Sequence, residues 1–182
     1  MDFDTPPDLY SPCHASCAAY APYGNTRETK VIRGATLLYS ALLTVSIFFI
    51  TALIHLGCLR WCSSGMASIP LTPSARVLAV AAALFAAHMA EISFYAGAYA
   101  LAEHVFFIGG FIGKQFMAPL DYFYFSATTY TSLGIGDIFP TGHIRFLTGV
   151  EALNGLLLIA WSASFLFTLM NRIWDWQPCA RP

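Results

Sequence analysis

Few side chains in this sequence can do chemistry, and most of those lie in apolar surroundings. His88 and Glu91 are three residues apart, hence on one face of a helix. Their stretch, Val77 to Ala102, has Glu91 as its only Asp, Glu, Lys or Arg. An imidazole and a carboxylate so placed can sense pH, couple packing to a gate, or hydrogen-bond as a neutral pair that locks helices together. The last is the expected role. His55 would complete a three-residue metal set. However, His88 lies about 18 Å along its helix from Arg76 at about 1.5 Å per residue, while His55 stands near the far end of its own apolar stretch. Direct contact between the two would need offset helices, and a three-residue metal site is not the expected reading. Cys13, His14 and Cys17 fall short of the four ligands of a structural zinc site. A Cys13–Cys17 disulfide is permitted if that segment lies outside the cell. Cys58 and Cys62, one helical turn apart, read as small buried side chains. The remaining chemistry belongs to the backbone, where Gly134 and Gly136, followed by Asp137 and Pro140, cannot continue a helix.

Composition sets the solvent in which these groups must be positioned. Of 182 residues, 57% are hydrophobic and 10% charged, with a mean hydropathy of +0.61, against about 45–50% and 25% in soluble domains. A formal net charge of −1 excludes a basic nucleic-acid binder, and so little charge cannot cover the surface of a water-soluble enzyme. Gly34 to Leu59 has no Asp, Glu, Lys or Arg, and Phe146 to Asn171 has only Glu151. With Val77 to Ala102, these make three stretches long enough to cross a bilayer, which takes about 20 apolar helical residues. A fourth, Leu120 to Ser132, makes a helix of roughly 20 Å, too short to span. It runs from the Gly109–Gly113 linker into the glycine-rich loop. Extended backbone is tolerated at membrane depth only where protein buries it or where it lines a water-filled path. The segment therefore reads as a re-entrant loop.

Thr131-Ser132-Leu133-Gly134-Ile135-Gly136-Asp137 resembles the T-T-V-G-Y-G-D filter of the tetrameric potassium-channel superfamily. Tyr124 and Phe125 upstream and the apolar helix downstream match the same frame. The chain from Val31 to Met170 is also similar to small bacterial ion-channel proteins with an extra first helix. Those carry an Ile-His, a His-x-x-Glu and an E-A-L-N-G-L-L-L-I-G-W-S-like segment, here Ile54-His55, His88 to Glu91 and Glu151 to Ser162. The resemblance implies an all-α membrane protein in which three transmembrane helices and a re-entrant pore helix assemble as a homotetramer. Its expected layout is a flexible tail 1–30, a first helix 31–62, a connector 63–74, a pore domain 75–171 and a tail 172–182. Within the pore domain an outer helix covers 75–103, pore helix and filter 119–137, and an inner helix 143–171.

The implied function is a cation channel, most directly for potassium, with no enzymatic chemistry and no cofactor beyond the permeant K+. Backbone carbonyls of Ser132, Leu133, Gly134 and Ile135 would replace the water an ion sheds, with Gly136 completing the filter. Phe125, Thr128, Thr131 and Asp137 would support it, and His88, Glu91 and Gly155 would serve gating or helix packing. Glu151 and Asn154 would back the filter from behind. Ile135 stands where the family usually has Tyr or Phe, and Phe125 where many members have Trp, so the ring-to-ring hydrogen bond that tightens those filters is missing. Thr128 replaces a Glu that pairs with the filter Asp in some members, which leaves Asp137 without that partner. Two rival classes remain: a non-conducting subunit acting on a regulatory partner, and a membrane-embedded metal enzyme built on His55, His88 and Glu91. The chain lacks a charged voltage-sensing helix. A pore loop entering from outside puts the C-terminus in the cytoplasm and the N-terminus outside a cell (inner) membrane. Arg60, Arg76, Arg172 and Arg181 then lie inside, against Arg27, Lys30, Arg33, Lys114 and Arg145 outside, which opposes the positive-inside rule. Trp61, Trp174 and Trp176 read as interfacial anchors.

Overall fold

In the computed structural model the described residues are 26–65, 70–113 and 118–174. The N-terminal segment with Cys13 and Cys17, Lys114, and the C-terminal segment from residue 175 lie outside them. Contacts divide the chain after Arg33 into two units, and the second, Gly34–Pro182, holds the helical bundle. Its helices are α1 (Thr26–Ser64, which begins ahead of the division), α2 (Pro73–His104), α3 (Pro119–Tyr130) and α4 (Ile144–Trp174). Three of them, over Gly34–Ser64, Pro73–His104 and Ile144–Ile173, are long and apolar enough to cross a membrane. The protein is an all-α, multi-pass membrane protein.

These helices are patterned for lipid. On α1, Ser40, Thr44, Thr51 and His55 are all buried, while Leu38, Leu42, Phe49 and Leu53 face outward. The spacing of the polar set follows one helical stripe, so the polar seam faces protein and the apolar surface faces the bilayer. Thr44 and Thr51 return their hydroxyls to carbonyls of their own helix, Ser40 and Ile47, which satisfies them without water. Cys62 packs with Leu59, Val80 and Leu84 where α1 meets α2. The larger core gathers Tyr95, Tyr99, Phe125, Tyr130, Ile144 and Leu147, from α2, α3 and α4.

One element was not expected. Phe111–Gly113 (β1) and Ile138–Pro140 (β2) form a two-stranded antiparallel ribbon, with Phe111 opposite Pro140 and Gly113 opposite Ile138. Strands of three residues are too short to show a period in sequence, so the Gly109–Gly113 segment looked like a plain linker. The ribbon continues beyond its strands. The Thr141 N–H donates to the Gly110 carbonyl (2.8 Å) and that of His143 to Ile108 (3.0 Å). At some points the approach leaves no space for a side chain. At Gly142, with φ +61°, a Cβ would meet the Ile108 carbonyl oxygen at 2.7 Å and the Gly109 Cα at 2.9 Å. Residues 108–113 and 138–143 thus act as a clip that joins the chain before α3 to the chain after the glycine loop.

Gly142→Ala should therefore destabilise the protein by about 1–3 kcal/mol, seen as a drop of several degrees in the thermal midpoint of the detergent-purified chain. Gly97→Ala, where nothing lies within 4 Å, should leave the midpoint unchanged or raise it slightly.

Candidate functional site

The glycine loop begins where α3 stops. Pro119 opens that helix, where its missing N–H costs nothing, and Asp121 accepts the Ala118 N–H at 2.9 Å. Near this end, the Tyr122 hydroxyl donates to Glu103 (2.6 Å) and meets His104 Nε2 (2.9 Å). Burial, and then the Glu103 carboxylate, raise the Tyr122 phenol well above its ordinary range. At the other end Ser132 turns left-handed, with φ +56°. The Thr128 carbonyl then accepts the N–H groups of Leu133 (2.8 Å) and Gly134 (3.2 Å). Thr128 therefore braces the loop through its backbone. Its hydroxyl, like that of Thr131, returns to a carbonyl of α3.

Positive φ recurs at Ser132 (56°), Gly134 (54°) and Gly136 (81°), at every second residue. Glycine adopts this at no steric cost, whereas Ser132 holds it against its Cβ. Thr131 to Asp137 are all exposed on the single chain, including the apolar side chains of Leu133 (66%) and Ile135 (56%). Asp137 does have a partner: the Tyr124 hydroxyl donates to its Oδ2 at 3.1 Å. The expected gap opposite Thr128 is filled one helical turn earlier. Phe125 is buried edge-on against Tyr99 (5.1 Å) and Phe111 (4.9 Å), fastening α3 to α2 and the ribbon.

Behind the loop, buried polar groups tie the helices together. Glu151 of α4 accepts hydrogen bonds from Ser126 of α3 (2.5 Å) and from Tyr99 of α2. The Asn154 amide donates to Thr51 of α1 (2.9 Å) and Tyr95 of α2 (3.0 Å). A Cβ on Gly155 would overlap the Tyr130 carbonyl, so this glycine is where α4 presses on the end of α3. The contact gives this glycine a packing reason.

His55, His88 and Glu91 do come together, contrary to the count along the helices. His55 Nδ1 lies 2.9 Å from Glu91 Oε1, and His88 Nδ1 lies 3.1 Å from Oε2. His55 and Glu91 are fully enclosed, and the His88 side chain is 16% exposed. The count assumed level helix ends. The thiol of Cys58, six residues from the end of α1, instead reaches the carbonyl of Ala83, ten residues into α2. That offset of four residues is about 6 Å, and the long side chains cover the rest. The Tyr130 hydroxyl donates to Glu91 Oε2 at 2.5 Å, which connects this cluster to the last residue of α3. The three residues offer ligand atoms within 4.8 Å of one another.

Residues 93–172, from the second half of α2 through the ribbon, α3, the glycine loop and α4, match a family model described as an ion channel. That segment is similar to the pore-loop cation channels. No curated protein and no solved structure matches it. The first helix, α1, with His55 precedes the matched segment, so the Glu91 cluster joins a helix outside that segment to the helices that contribute to it.

If Gly155 serves packing, Gly155→Ala should cost about 1–3 kcal/mol through overpacking, a loss of several degrees in thermal midpoint. Gly149→Ala, with nothing within 4 Å, should leave stability unchanged. Equal stability of the two variants would favour a hinge.

Proposed function

We propose that the protein conducts potassium as a homotetramer in the cell (inner) membrane, with Ser132 to Gly136 as its selectivity filter. The observation that carries this reading is the loop itself, with left-handed residues at 132, 134 and 136 and its whole length exposed. Alternating handedness turns successive carbonyls toward a common side, whereas an ordinary strand alternates them. One chain supplies one quarter of each carbonyl ring, and the carbonyls of Ser132, Leu133, Gly134 and Ile135 take over the ligands that a potassium ion loses with its water. Exposed Leu133 and Ile135 side chains are then covered by neighbouring copies. The C-terminal end of α3, one residue before Thr131, carries the negative pole of its dipole and favours a cation.

Phe125, Thr128, Thr131 and Asp137 hold the filter's surroundings, the first by packing, the last through Tyr124. The filter opens to the outside, the C-terminus is cytoplasmic and the N-terminus external. A second reading, a non-conducting subunit acting on a regulatory partner, is favoured by Ile135, which cannot form the hydrogen bond made by a filter Tyr. Neither reading requires enzymatic chemistry.

Proteoliposomes should release potassium faster than sodium or N-methylglucamine, and Gly134→Asp should reduce the flux to that of protein-free vesicles. Equal potassium and sodium flux would leave a cation pore and remove the selectivity. Absence of flux from a verified tetramer at every pH and voltage would favour the non-conducting subunit.

A further inference from the structure

The contacts around Glu91 contain more acceptors than hydrogens. Five groups take part: His55 of α1, His88 and Glu91 of α2, Tyr130 of α3 and Ser162 of α4. The carboxylate meets His55 Nδ1, His88 Nδ1 and the Tyr130 hydroxyl at 2.9, 3.1 and 2.5 Å, and His88 Nδ1 also lies 2.9 Å from that hydroxyl. The opposite nitrogens of both rings reach a single hydroxyl, with His88 Nε2 at 3.0 Å and His55 Nε2 at 3.2 Å from Ser162 Oγ. Two neutral imidazoles, a phenol, an alcohol and an ionised carboxylate carry four mobile hydrogens in all. That is too few for six contacts unless two of the hydrogens are each shared between two acceptors. The assignment that suits Ser162 best has both rings donate Nε2–H to its two lone pairs. Both Nδ1 lone pairs then point at the Glu91 and Tyr130 oxygens, an arrangement that a cation between them makes favourable.

We propose that His55, His88 and Glu91, with the Tyr130 hydroxyl as fourth donor, form a binding site for a divalent transition metal of the zinc class. Two imidazoles and a carboxylate are the nitrogen and oxygen donors such ions take in four-coordinate sites with one further oxygen, and the Tyr130 hydroxyl stands where that oxygen would be. Donors in a tetrahedral shell with bonds of about 2.1 Å stand about 3.4 Å apart, so the His–Glu and His88–Tyr130 pairs need to open by about half an ångström or less and the Tyr130–Glu91 pair, now at 2.5 Å, by about 0.9 Å. Ser162 is the outer-shell group. By accepting both Nε2–H bonds it holds each ring in the tautomer that ligates through Nδ1. Charge favours the same occupant, because a carboxylate with no exposure needs compensation at membrane depth. The ligands come from α1, α2 and α3, and Ser162 from α4, so one ion joins all four helices. It does so at Tyr130, whose carbonyl abuts Gly155 and whose next residue is Thr131. Metal occupancy therefore bears on the root of the glycine loop.

The test uses the full-length chain in detergent, stripped by chelator and titrated with Co2+, and its readout needs no ion flux. One Co2+ per chain should bind with the visible absorption of a four-coordinate site, and Zn2+ should displace it. Glu91→Gln and His88→Asn should abolish the absorption. Ser162→Ala keeps every ligand and should fold normally, with affinity weakened about 10–100-fold. Cys13→Ser with Cys17→Ser should have no effect. Absence of the cobalt spectrum in the wild-type protein would overturn the proposal, and proton uptake without metal binding would replace the ion by an imidazolium. A spectrum that survives Glu91→Gln and disappears with the cysteine substitutions would place the metal elsewhere and equally overturn it.

Discussion

A polar group at membrane depth must be satisfied by protein, because the lipid offers it nothing, and the whole arrangement depends on that constraint. Glu91, Glu151, Asn154 and His55 are all buried, and each is bonded to a helix other than its own. The apolar surface of α1 does not specify how that helix sits, since lipid and leucine are equally good neighbours. The polar seam does: Ser40, Thr51 and His55 each bond to another part of the chain, which sets both the face and the height of α1.

The same constraint concentrates support on α3, the shortest helix. Its twelve residues cannot be held by the bilayer as a spanning helix is, so contacts must hold it from every side. Phe125 packs on α2 and the ribbon, Ser126 bonds Glu151, Tyr130 bonds Glu91, and Gly155 lets α4 approach its last carbonyl. The glycine loop is fastened at both ends. Thr128 holds its start through backbone bonds, while Tyr124, through Asp137, and the ribbon hold its finish. Between these anchors the loop remains exposed on the single chain.

Much of this was legible in the sequence, for physical reasons. Hydropathy reports solvent directly, so three spans and a short fourth helix could be read from composition and length. Gly134 and Gly136 mark two of the three left-handed positions of the glycine loop, because only glycine takes that conformation freely. Ser132, the third, carried no such mark, since its φ is imposed by the capping bonds at the end of α3. The ribbon left only the glycines at 109, 113 and 142 as a trace, and isolated glycines do not announce which backbone they approach.

What depends on neighbours along the chain was therefore settled by residue order: the solvent, the helices, the interruption of the short helix by the glycine loop, and the likeness of the segment from 93 to 172 to ion channels. Packing alone decided which distant groups meet. His55 lies 36 residues from Glu91, and Asn154 lies 103 from Thr51. Whether such pairs touch depends on the relative height of two helices, and a shift of four residues, about 6 Å, makes or breaks every contact between them. That height is the joint outcome of all the polar bonds in the seam, so it exists only once the helices are packed.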